Sequence, residues 1–521
     1  MSAADGMTRR AALRGGLAGG AWLAAPAVAA GSSGDPRALA YRGMIDSGVP
    51  AFLGIRYARA ARFDRPVREP VPTAPTPATQ FGPLCPQRNP MSPAMSEDCL
   101  FLNIWTPDAH PSALRPVMVY FHGGAYNWGS VTDPLTHGAK LAEEGDVVVV
   151  TANHRLNLFG YGWLGPLGER FRHSGNAGQL DLICALEWIR EHIGAFGGDA
   201  DRVMVFGQSG GGAKIATMMA MPAAKGLFHR AITMSGQQVT ASGPLNASRR
   251  TAAYLERLRV SPGDLAPLLT MPVERLIDAL EAEDPILGGG LYMGPVLDMR
   301  WLQRHPFWPD AAPQGNALPM MLGNTLDETR AFIDPDGPLL RGLDWSNLAD
   351  RMAGQLRMDL LPAWIVAQYR AHHPDWSAER IFYAATTAGR SWPGQVIEAS
   401  ARARADAPTW VYQVDFQSPT EPRRGAPHGM DIALSFGTLD APGSLTGTGA
   451  GARAASTAMM ARFLAFARRG DPNGGAMAEW PQYRLDQRAT MIFDAQSRVT
   501  NDPRGWEREM FARVPYIQPG S

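Results

Sequence analysis

Residues 203–221, VMVFGQSGGGAKIATMMAM, run from a short apolar stretch through a glycine-rich turn into helical spacing. One serine, Ser209, stands among the glycines where strand gives way to helix. A turn of this kind either cradles phosphate or presents a nucleophile. A phosphate loop closes on Gly-Lys-Ser/Thr, whereas here Ala213 separates Gly212 from Lys214 and Ile215 takes the hydroxyl position. The spacing excludes it. Gly207-Gln208-Ser209-Gly210-Gly211 instead matches G-x-S-x-G, a nucleophile elbow. Glycines two before and two after the serine remove Cβ atoms that would clash in a strained turn. The helix expected over 210–221 would aim its N-terminal amides at developing negative charge. A capping serine in an ordinary connection has the same local pattern, so the elbow is judged by its partners.

A serine hydroxyl is a poor nucleophile unless a base takes its proton and an acid orients that base. On an α/β scaffold of this kind the order is Ser, then acid, then His. Five histidines follow Ser209: His229, His305, His372, His373 and His428. His372 and His373 sit at an exposed helix end, His229 directly precedes a strand, and His305 has no strand before it. His428, in GAPHGMDIALSFG about a dozen residues past an apolar strand at 409–416, is the base of choice. For the acid, LPMMLGNTLDETRAF at 318–332 offers a short strand and then Asp327-Glu328, either of which serves by position. VYFHGGAYNWGS at 119–130 places His122-Gly123-Gly124 straight after a strand, where free amides could meet a substrate oxyanion.

The rest of the chain suits one large α/β domain. Apolar runs at 116–121, 146–151, 203–206, 231–234 and 409–414 read as strands buried on both faces, with helical patterns between them at 177–193 and 212–221. Strand alternating with helix implies a mainly parallel sheet flanked by helices. The glycine-rich segment 442–453 reads as a mobile surface loop. The chain has 45% hydrophobic and 19% charged residues and a net charge of zero. It offers no basic patch for nucleic acid and no apolar span for stable membrane association. No metal-ligand spacing or cofactor motif is present, so no cofactor is expected. Thr8-Arg9-Arg10 before an apolar Gly/Ala run and Ala27-Val28-Ala29 read as a Tat-type export leader over residues 1–30. The mature chain, residues 31–521, would then be mildly acidic and periplasmic or secreted.

The blocks GIRYA (54–58), SEDCLFLNIWTP (96–107), NHRLNLFGY (153–161) and FGGDADRVMVFGQSGGG (196–212) together resemble the type-B carboxylesterases, from about Val49 to Arg513. The resemblance implies an α/β-hydrolase fold and hydrolysis of a small-molecule ester through an acyl-enzyme. It implies Ser209 as nucleophile, His428 as base and Glu328, the second residue of the Asp-Glu pair, as acid. Gly123, Gly124 and Gly210 correspond to oxyanion donors, and Asp431 and Ser235 to positions beside the base. Cys85 and Cys99 correspond to a disulfide, and Glu97 with Arg155 to a buried ion pair. Gln208 departs from the glutamate that cholinesterases carry before the serine, and the loop between the cysteines is shorter than a lipase lid. Amide, carbamate or mycotoxin-ester cleavage on the same scaffold is the alternative activity. A non-catalytic binding protein would have lost members of the triad, and none is lost here.

Overall fold

A computed structural model describes residues 27–28, 41–88, 94–475 and 477–521. The leader expected over residues 1–30 lies outside the described residues apart from the Ala27–Val28 backbone, and so does the middle of the 86–98 loop.

Eleven strands form the body of one sheet: β1 (Tyr41–Asp46), β2 (Val49–Arg56), β3 (Phe101–Trp105), β4 (Arg115–Phe121), β5 (Val148–Ala152), β6 (Gly198–Gln208), β7 (Arg230–Met234), β8 (Met320–Thr325), β9 (Thr409–Val414), β10 (Ala489–Phe493) and β11 (Arg498–Asn501). Their spatial order is β1-β2-β3-β5-β4-β6-β7-β8-β9-β10-β11. Every pair from β5/β4 to β9/β10 is parallel. The five apolar runs read from the sequence all become strands of this parallel block. The antiparallel flanks β1–β3 and β10–β11 carry no comparably strong sequence signal.

The parallel strands read as unbroken apolar runs because both faces are covered. In β4, Val117, Val119 and Phe121 enter one core while Met118 and Tyr120 enter the other. β6 divides the same way, with Val203 and Val205 against Met204 and Phe206. Helices α1 (Ala177–His192) and α2 (Gly210–Met218) cover the first face. A third cluster joins the helix α3 (Ala378–Thr386) to the C-terminal segment, and α4 (Pro393–Arg404) follows it. On the second face lies α5 (Ala450–Arg469), through Ala455, Met459, Phe463 and Phe466.

This last helix corrects the loop expected at 442–453. From Ala450 onward the segment is helical, with Gly449 as its N-cap. Local glycine content argues against helix, but the apolar stripe that follows is buried against the sheet, and packing outweighs propensity.

The junction of β6 with α2 is tightly packed. A Cβ on Gly211 would overlap the backbone carbonyl oxygen of Phe121 in β4. Gly211→Ala should therefore cost roughly 2–3 kcal/mol or more, visible as a large fall in thermal midpoint or in soluble yield. Gly194→Ala, where a Cβ meets nothing within 4 Å, should leave the midpoint nearly unchanged. Equal stability of the two variants would contradict this packing.

Candidate active site

Loops collect at the carboxyl ends of parallel strands, and the order β4-β6-β7-β8-β9 sets five of them side by side. They carry, in turn, the His122-Gly123-Gly124 segment, Ser209, Ser235, Glu328 and His428. Residues spread over three hundred positions of sequence thus meet along one edge.

Ser209 has φ +56° and ψ −124°, between strand and helix. A non-glycine residue there stores strain of about 1–3 kcal/mol. The turn is held by the Ser209 N–H, which donates to Met234 O at 2.7 Å, and by Ser209 O, which accepts the Ala213 N–H at 3.1 Å. The loop after β4 closes over the serine, and a Cβ on Gly123 would stand 3.2 Å from Ser209 Cβ. The next residue but one, Ala125, is also left-handed at φ +52°. Its backbone is the nearest neighbour of Gly210, leaving no room for a side chain there. The amides of Gly123, Gly124 and Ala125 donate to no described acceptor. Ala125 was not singled out in the sequence because an alanine carries no signature of left-handed backbone.

Glu328 is fully buried, and each of its oxygens is used. Oε1 accepts from Ser235 Oγ at 2.6 Å, Thr325 N–H at 2.8 Å and Asn324 Nδ2 at 3.1 Å. Oε2 faces Nδ1 of His428 in a short hydrogen bond. Burial opposes its charge, but His428 and these donors together hold the carboxyl below the usual glutamate range. Asp327 has a different task. Its Oδ2 accepts the Ala426 N–H at 3.1 Å, its N–H donates to Ala426 O at 3.0 Å, and Arg330 approaches at 3.5 Å. It ties down the loop that carries His428 and does not touch the imidazole. The ambiguity left by position in the sequence is thus separated by geometry. Nε2 of His428 has no described partner, and no hydrogen bond joins it to Ser209. Such contacts are often long before substrate binds.

Near His428, Asp431 accepts the Tyr412 hydroxyl at 3.0 Å. Burial, and then the charge of Glu328, push its carboxyl up to about 7. Ser235 is the direct donor to Glu328. Two implied pairings are corrected. Arg155 is held bidentate by Asp181 of α1, at 2.7 and 2.8 Å, both side chains being buried. Glu97 pairs with Arg62 at 2.8 Å nearer the surface. A carboxylate on a packed helix reaches the buried guanidinium where Glu97, on a partly exposed turn, does not. The Cys85–Cys99 bridge is not formed. Both are buried free thiols, Cys85 Sγ accepts the Leu156 N–H at 3.2 Å, and a hydrogen bond with Cys85, then burial, raises the Cys99 thiol well above its usual value. A cavity of about 540 Å³ opens outside the acid turn, lined by Asp327, Arg330, Trp376 and Trp506 among others; Ser209, Glu328 and His428 do not line it.

The least expected group is Lys214, on the inner face of α2. It is fully buried and pairs with no carboxylate among the described residues. Its Nζ donates to His122 O at 3.2 Å and lies 5.6 Å from the Tyr126 ring. It thereby holds the peptide that leads into Gly123. His122 and His154, stacked 4.5 Å apart, stand near it, and burial together with the lysine charge keeps both imidazoles neutral. Burial lowers Lys214 itself from 10.5 to about 7. The unfolded chain therefore holds this proton over a window in which the folded chain does not. Stability attributable to Lys214 rises with pH between about 7 and 10.5, by roughly 1.4 kcal/mol per unit. In calorimetry Lys214→Met should exceed the parent in thermal midpoint at pH 7, with the gap closing toward pH 10. A gap independent of pH would show that burial does not shift the titration of this lysine.

The Carboxylesterase family profile matches residues 38–510. The chain is 34% identical over 496 residues to the para-nitrobenzyl esterase of Bacillus subtilis (strain 168), covering 90% of this chain and 96% of that one. It is 30% identical to the fumonisin B1 esterase of Sphingopyxis macrogoltabida over 84% of this chain and 82% of the other. Among solved structures it is similar to the Geobacillus stearothermophilus carboxylesterase EST55, with a TM-score of 0.80, 35% identity, and coverage of 90% and 98%. The family profile over residues 38–510, the 34% identity over 90% of the chain and the shared fold agree: the chain belongs to the carboxylesterase family, with the α/β-hydrolase fold, and is a carboxylic ester hydrolase.

Proposed function

We propose that this protein cleaves esters by acyl transfer through a Ser209-His428-Glu328 triad. The observation that carries it is the buried Glu328, ionised and hydrogen-bonded to His428 Nδ1, which leaves Nε2 of the same ring as the free base. His428 takes the proton of Ser209 as Oγ attacks the ester carbonyl. The oxyanion is received by the amides of Gly123, Gly124 and Gly210, with Ala125 beside them. The alcohol leaves with the proton from His428, and water repeats the sequence on the acyl-enzyme. Lys214 fixes this loop from behind, its Nζ donating to His122 O. We read residues 1–30 as an export leader, which would bring Cys85 and Cys99 into an oxidising compartment.

Ser209→Ala should lower kcat roughly 10⁴-fold or more with the fold intact, since triad members act as a unit. A fluorophosphonate should label Ser209 alone, and retained activity with unlabelled Ser209 would end the proposal. Glu328→Gln should cost about 10³-fold or more in kcat by leaving the imidazole wrongly protonated and unoriented. Asp327→Asn, which touches only the loop, should cost far less; the reverse ranking would move the acid to Asp327. A panel of esters, carbamates and amides separates ester cleavage from the alternative activities on this scaffold. Among simple esters, acetate to hexanoate should be cleaved faster than palmitate, without activation where tributyrin begins to form droplets.

A further inference from the structure

Two arginines near the proposed catalytic histidine have no carboxylate partner. Arg390 lies in the π-helical turn Thr387–Ser391 between α3 and α4, a kind of irregularity that helices often carry at functional sites. Its Nη1 donates to Gln355 Oε1 at 2.8 Å, a neutral acceptor. Arg357 is tied to the same turn, its backbone N–H donating to Gly389 O at 2.9 Å. Its guanidinium reaches only backbone carbonyls, Leu356 O at 3.0 Å and Gly354 O at 3.4 Å, and its Nε has no partner. Neither arginine forms an ion pair with a described carboxylate. Both are half-buried, so desolvation is incurred while a face stays open to solvent. Burial, and then the neighbouring Arg357 charge, lower Arg390 to about 10, while burial lowers Arg357.

This pair stands next to the reacting groups. Phe332, 44% exposed, packs its ring 4.8 Å from that of His428 and lies 5.4 Å from the Arg390 guanidinium carbon. These two distances together put the guanidinium within about 10 Å of the imidazole. Asn324, which donates to Glu328, also donates to Ser391 O at 3.4 Å, so the turn bearing Arg390 is coupled to the acid's own shell. Two like charges held together without a counter-ion destabilise an apo protein, and a bound anion removes that cost. Guanidinium groups match planar carboxylates with paired N–H donors.

We propose that Arg390 and Arg357 recognise a free carboxylate on the substrate, so that the preferred substrates are half-esters of short dicarboxylic acids or esters of short hydroxy acids. The inference rests on the Ser209-His428 reading of the site. Phe332 supplies the apolar wall along which the connecting chain lies, and the arginines hold the far end.

The test compares substrates of equal length that differ in one terminal carboxylate: monoethyl adipate against ethyl hexanoate, and 6-acetoxyhexanoate against hexyl acetate. In at least one pair the anionic member should have a kcat/KM tenfold or more above the neutral one. That ratio should fall at least tenfold in the Arg390→Met/Arg357→Met double variant, with fluorophosphonate labelling of Ser209 confirming an intact site. For the parent protein, raising sodium chloride from 20 mM to 500 mM should lower the same ratio, a readout independent of any variant. Hydrolysis of the neutral esters without an anionic preference in either pair would overturn this inference and leave the esterase proposal standing. An anionic preference that survives the double substitution would overturn the assignment to these arginines. No hydrolysis of any of the four would count against the triad itself.

Discussion

The strained turn at Ser209 is the constraint on which the site depends. A left-handed serine between a central strand and a helix cannot hold itself; it needs its neighbours to occupy every alternative. β7 supplies the Met234 carbonyl that takes the serine N–H, and β4 supplies the Phe121 carbonyl against which only a glycine fits at position 211. The three strands must therefore be adjacent and in register, with Gly207 opposite Phe121 and Thr233. The parallel sheet buries enough apolar side chain on both faces to offset strain of about 1–3 kcal/mol. The core thereby fixes the backbone at Ser209.

The same logic governs charge. Glu328 is buried and stays ionised because three donors and an imidazole meet its two oxygens, drawn from β7, β8 and the loop after β9. Two strands of separation between Ser235 and His428 are spanned by one carboxylate. Asp431, equally buried but with only the Tyr412 hydroxyl as donor, is pushed toward its neutral form instead. Two acids in one neighbourhood are thus shifted in opposite directions, Glu328 downward by His428 and its donors and Asp431 upward by burial and the Glu328 charge.

Against that well-satisfied carboxylate stand basic side chains with no described carboxylate partner. Lys214 lies behind the His122-Gly123-Gly124 segment, and Arg390 with Arg357 lies beyond Phe332. Burying a cation without a carboxylate costs stability. Proteins tolerate such costs where function uses them. On the readings proposed above, both sets would bear on negative charge at the substrate, one where it develops during the reaction and one where it already resides.

Much of this was legible in the sequence, because the features concerned are local. G-x-S-x-G and the two glycines after His122 mark backbone positions where a side chain does not fit, and the apolar runs mark strands covered on both faces. Position alone left Asp327 and Glu328 open, since adjacent carboxylates on a turn look alike until the Ala426 amide and the His428 imidazole are in place to choose between them. The partner of Arg155 was legible only in three dimensions, because a guanidinium reaches whichever buried carboxylate packing brings near, and that was Asp181 on a helix. The same holds for the start of the helix at Ala450, where sheet contacts outweigh glycine propensity. Ala125 and the unpartnered arginines carry no motif at all. A left-handed alanine is imposed by the loop around it, and a cation is unpaired only by what the rest of the chain fails to bring within reach. Sequence determined which residues could do chemistry and where the backbone had to turn; tertiary structure decided which charges meet, because electrostatic and hydrogen-bond energies depend on distances that only the packed chain defines.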